Sequence, residues 1–136
     1  MISRNDALTK LLHPGRLQFV FQLNLAKQEL IRMGRIVQTM LAQILPPFLD
    51  KDPSTLNGIY THEKEVDFLR DHIKSYLFKI NKEAISSKRV NESFQMLYSM
   101  NEFEKIGDIV SGSLANRAEK WLMKEYEFSE AGKIEL

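Results

Sequence analysis

Apolar residues recur along this chain at steps of three and four, the period of helices that bury one side. A first stripe, Leu23, Ala26, Leu30, Gly34, Val37, Leu41 and Ile44, predicts a helix from Arg16, about 45 Å long at 1.5 Å per residue. Pro46-Pro47 ends it, because neither ring carries a backbone donor and the first disfavours helix at Leu45. Residues 46–60 hold Asp52-Pro53 and Asn57-Gly58, which are turn and helix-start chemistry, so a short helical turn is expected after Asp52. A second helix is expected from Thr61 as N-cap, with Glu63 and Glu65 in its positive first turn. Its stripe is Val66, Leu69, Ile73, Leu77, Ile80 and Ala84. Ser86-Ser87 marks a third start, and the third helix runs from Lys88 to Tyr126. Its seam reads Val90, Phe94, Leu97, Asn101, Glu104, Asp108, Ser111, Ala115, Ala118 and Leu122.

No alternating strand pattern occurs, so the class is all-α. The short link between the second and third helices makes them antiparallel, and three long helices give an antiparallel bundle over residues 16–127. Residues 1–15 form a lead-in, with a helical turn expected from Asn5 or Asp6 to Leu12 before His13-Pro14-Gly15 breaks it. Residues 128–136 begin a new pattern at Ser129 that stops before a core face develops, as the start of a following element would.

Composition narrows the function classes. In 136 residues, 43% apolar and 27% charged, there is material for one core but not two. A net charge of +1 gives no general attraction to nucleic acid or anionic membranes. The absence of cysteine removes disulfides and thiolate metal sites. No apolar run is long enough to span a membrane, and no signal-peptide layout stands near Met1.

The unusual feature is acid on a buried stripe. Glu104 and Asp108 occupy seam positions where leucine would be expected, and a buried carboxylate needs a partner. With the second link centred near Ile85, residues at one height have numbers summing to about 170. Glu63 and Asp67 on the second helix then lie level with Asp108 and Glu104 on the third. Each pair has i, i+4 spacing and projects from one side of its helix. A divalent metal or small cluster with oxygen ligands would neutralise four such acids. Salt bridges from Lys64, Arg70, Lys74 and Lys105 would do the same without metal.

Phe68 and Phe78 fall opposite the second stripe and are expected at a contact surface, as a dimer or inter-repeat face. Trp121, with Phe103, Val110 and Leu114, makes a second apolar edge on the third helix, with part of it available to a partner. Gly107 inside that helix is read as close packing. His13, His62 and His72 share no ligand spacing. No nucleophile elbow, phosphate loop or dinucleotide fingerprint is present, so no catalytic residue is assigned. The basic residues are dispersed among acids, against nucleic-acid binding.

Asn101–Val110, NEFEKIGDIV, resembles the PhoU family of phosphate-transport regulators, whose three-helix repeat carries an acidic motif before Gly-Asp, here Glu104-Lys105-Ile106-Gly107-Asp108. Glu63-Lys-Glu-Val-Asp67 matches the family's second acidic site, and Leu25–Leu41 its first helix, including Met33-Gly34. LLHPGRL (11–17) and FSEAGKIEL (128–136) are similar to segments bordering the PhoU-like domain of bacterial sodium/phosphate cotransporters. The resemblance implies one PhoU-like repeat: a non-enzymatic regulatory domain on the cytoplasmic side of the inner membrane. Its partner would be the membrane-embedded transporter portion of the parent chain. It also implies a homodimer and divalent metal (iron, manganese, magnesium or zinc) on Glu104 and Asp108, with Glu63 and Asp67 next. Lys105 stands where the family usually has arginine, which weakens bidentate pairing there. A stand-alone regulator acting by protein contacts without metal is the alternative.

Overall fold

In the computed structural model residues 14–82 and 87–136 are described, the side chains of 14–19 and 80–82 excepted. The expected turn before Leu12, residues Ala84 and Ser86, and the side chain of Ile80 lie outside that description. Helix α1 spans Pro14–Gln43, α2 Leu45–Leu49, α3 Leu56–Lys82 and α4 Ser87–Asp108. A π-helical turn, Ile109–Leu114, joins α4 to α5, Ala115–Leu122, and α6 is Glu130–Glu135. Among the described residues there is no strand. Helices α1, α3 and α4–α5 pack on one another as the three rods of an antiparallel bundle.

The connection after α1 is tighter than its two prolines suggest. Pro46 and Pro47 end α1 but sit in the first turn of α2, where a missing N–H leaves nothing unsatisfied. Asp52 Oδ1 then accepts from Ser54 N at 2.9 Å, and Thr55 Oγ1 donates to the Gln43 carbonyl at 2.6 Å. Helix α3 therefore starts at Leu56, not Thr61, because Leu56 and Ile59 are buried and draw the chain into helix early. Thr61 is an interior residue whose hydroxyl donates to the Asn57 carbonyl, and Glu63 and Glu65 lie beyond the first turn.

Leu23, Ala26, Val37 and Ile44 of the first stripe are buried, but Met33 and Met40 take the places expected for Gly34 and Leu41. Val66, Leu69, Ile73 and Leu77 are buried as the spacing predicts. The third rod departs most. Its central positions are Ser93, Met96, Met100, Gly107 and Val110, then Ala115 and Ala118. Phe94, placed on the seam by periodicity, is 58% exposed. Asn101 and Asp108 are also exposed. The step from Val110 to Ala115 is five residues, the π turn's signature, whereas periodicity of three and four carries one register through it. The expected seam is thus rotated by one residue before the turn and correct after it.

Two glycines separate packing from propensity. A Cβ on Gly34 would stand 3.0 Å from the Phe103 ring, so this glycine lets α4 approach α1. A Cβ on Gly112 would meet nothing within 4 Å. Gly112→Ala is therefore expected to raise stability by about 0.5–1 kcal/mol through backbone entropy alone. Gly34→Val should lower it by about 1–3 kcal/mol through overpacking. Urea unfolding midpoints of the two variants against the parent chain check both signs.

Candidate functional site

Antiparallel α3 and α4 bring the four acids to one level, as the register sum requires, but not into one cage. Because the third rod's seam is rotated, Glu104 lies at the α3–α4 edge and not in the core centre. Across that edge Arg70 Nη1 donates to Glu104 Oε1 at 2.5 Å and to Asp67 Oδ1 at 3.1 Å. Its Nε reaches Asp71 Oδ1 at 3.2 Å. The Arg70 and Glu104 side chains are 24% and 22% exposed, so this pair is only partly screened by water. Glu104 above all, and Asp71 and Asp67 after it, hold the guanidinium pKa above its ordinary value. One arginine on α3 is the cation for this half of the level. Lys105, at the motif's usual arginine position, points outward to Glu102 at 2.9 Å.

Among the described residues the other half has no such cation. Glu63 faces Gly107, where a Cβ would lie 3.3 Å from Glu63 Oε2. The small residue leaves room for the carboxyl between the rods. Glu63 Oε2 is buried and has no hydrogen-bond partner. Burial first, then the neighbouring Asp108 carboxyl, push the Glu63 pKa up to about 7, with Ser111 pulling the other way and Asp67 adding to the rise. Glu63 thus holds its proton much closer to neutral pH than an ordinary carboxyl does.

Donors within reach of a cation at this place are Glu63, Asp108 and the Ser111 hydroxyl, with Asp67 near enough to add its charge. Glu104 is committed to Arg70. Among the described residues, no three histidine, aspartate or glutamate side chains are arranged to hold a metal ion. His62 Nδ1 faces Gln43 Oε1 at 2.9 Å, away from the acids.

The aromatic residues separate. Phe68 stacks on His72, with centroids 4.1 Å apart, and His72 meets Tyr76 edge-on. Phe78 lines a groove towards α4 with Leu77 and Leu97, on a different flank of α3. Trp121 is engaged within the chain. Its Nε1 donates to the Phe48 carbonyl at 3.1 Å, Phe128 stacks on it at 4.7 Å, and Lys51 Nζ sits 4.3 Å over the ring. Lys51, at a left-handed φ of 54°, also donates to the Trp121 and Lys124 carbonyls, capping the end of α5.

Arg70 had a visible signal, its i, i+3 spacing from Asp67. The Lys51–Trp121 cap had none, because 70 residues separate the partners.

A carboxyl whose folded pKa is raised binds its proton more tightly in the folded state. Stability is then full below the ordinary value of 4.5 and falls as pH rises towards about 7, levelling off above it. Because the group keeps some contact with water, the fall is discounted to about 1–2 kcal/mol. Glu63→Gln should remove this slope and be the more stable protein at pH 8. Chemical denaturation across that range in chelator-treated buffer measures it.

The sequence profile of the PhoU domain family matches residues 30–112, more than half of the chain. Searches of characterised proteins and of solved structures gave no significant match. Among the described residues no helix is long and apolar enough to cross a membrane. The matched span contains both acidic pairs, Arg70 and Gly107, the residues that set the geometry between α3 and α4. This chain belongs to the PhoU domain family, a family of phosphate-transport regulators.

Proposed function

We propose that the bundle is the cytoplasmic regulatory domain of a membrane sodium/phosphate symporter and acts by contact, not by catalysis. The observation that carries this reading is the family match over residues 30–112. The flanks at 11–17 and 128–136, similar to those bordering the domain in cotransporters, favour the symporter over the stand-alone regulator. In this reading the Arg70 bridge sets the spacing of α3 and α4, and the shape so defined is what the transporter portion meets. Affinity purification from membranes tests it. The domain is expected to retain the symporter portion; retention of a sensor kinase or transport ATPase instead would favour the stand-alone regulator.

A second reading adds a divalent ion, iron, manganese, magnesium or zinc, at the acidic level. What favours it is Glu63 Oε2, buried without a hydrogen-bond partner beside Asp108. Here Glu63 and Asp108 are the ligands, Ser111 and Asp67 support them, and Glu104 joins only by leaving Arg70. An ion so held would displace the Glu63 proton and neutralise both carboxylates. Calorimetric titration with manganese or ferrous iron decides it. Heat in the parent chain that disappears in Glu63→Gln/Asp108→Asn supports the ion; equal heats in both remove it.

A further inference from the structure

Helix α4 carries more apolar surface than the bundle buries. Its core side is Ser93, Met96 and Met100. Rotated from these by one residue, about 100° round the helix, runs a second apolar stripe, Val90, Phe94 and Leu97. Phe94 is 58% exposed, and Val90 and Leu97 are only half-buried. The stripe has the spacing of a packed seam, yet the register ahead of the π turn leaves it at the edge shared with α3. A helical stripe of this kind at the surface is an interface without its neighbour.

The α3 side of that edge matches it. A groove of about 480 Å³ lies there, with Leu77, Phe78 and Leu97 as its apolar lining, and Phe78 is 65% exposed. Lys74 and Lys79 also line it, and neither has an ion-pair partner among the described residues. The acids of the same edge, Asp71 and Glu104, are both engaged by Arg70. The charge left to an incoming surface is therefore positive. A trough between two helices presents no row of free backbone groups to an added strand, but it accepts the side-chain ridge of another helix. Two such grooves set face to face would oppose lysine to lysine, so the complementary surface is an acidic one.

We propose that the α3–α4 groove is the docking site for an amphipathic helix of a partner protein, apolar on one side and acidic on the flank that lies over α3. Its apolar side covers Phe78, Phe94 and Leu97, and its carboxylates reach Lys74 and Lys79. Those lysines are five residues apart, about 7.5 Å along α3, and two acids at i, i+4 on the partner span about 6 Å. The assignment rests on the domain acting by contact and names the chemistry of what it contacts.

The probe is a labelled synthetic peptide about 18 residues long, with leucines at i, i+3, i+4 and i+7 and glutamates on one flank. A twin carries lysines in place of the glutamates. Fluorescence anisotropy against the full chain reads binding, and circular dichroism verifies that each variant stays helical. The parent chain is expected to bind the acidic peptide, more weakly as salt rises, and to leave its twin unbound. Phe94→Ser and, separately, Phe78→Ser should weaken binding roughly tenfold or more. Lys74→Glu/Lys79→Glu should reverse the choice of peptide. Ile31→Glu, on the exposed side of α1, should change nothing. No binding of the acidic peptide up to its solubility limit overturns the assignment. So does equal binding of the two peptides, or binding indifferent to the phenylalanine or lysine substitutions. No transporter enters the assay, so a negative result removes this occupant and leaves regulation by contact standing.

Discussion

A single extra residue in the third rod governs much of this domain. Between Val110 and Ala115 the buried seam takes a step of five, and everything before that step is rotated relative to everything after it. The rotation puts Met96, Met100 and Gly107 against the core and swings Glu104 and Asp108 to the edge shared with α3. Had the rod stayed α-helical throughout, those acids would have entered an apolar centre, where an unpaired carboxylate is strongly disfavoured. At the edge they meet residues of α3 and keep some access to water.

What they meet is asymmetric. Arg70 binds Glu104 and Asp67 with one nitrogen and Asp71 with another, so three acids share one fixed charge. An arginine suits this role because its planar fork can serve several carboxylates without titrating. Among the described residues Glu63 and Asp108 have no counterpart to it, and burial holds the proton on Glu63 instead. The same interface therefore has a permanent half and a half that responds to its surroundings.

The end of the bundle away from the groove is bolted by polar contacts. Lys51 caps the end of α5 and covers Trp121, whose indole N–H is tied to Phe48. Phe128 on the outer face of Trp121 fixes where the segment bearing α6 departs.

The three long rods, their antiparallel arrangement and the heights of the acidic pairs were all legible in the residue order. Periodicity of apolar positions and the lengths of the links determine them locally. Glu63 opposite Gly107 follows the predicted sum of 170. The spacing could not reveal which acids touch. A π turn leaves no mark on a stripe of small residues such as Ser111, Gly112 and Ala115, and shifting a seam by one residue changes every contact. The pairing of Arg70 with Glu104, like that of Lys51 with Trp121, depends on side chains distant in sequence meeting at a few ångströms. Only the packed structure decides such meetings, because they are settled by which rotations of three rods close the core without a void.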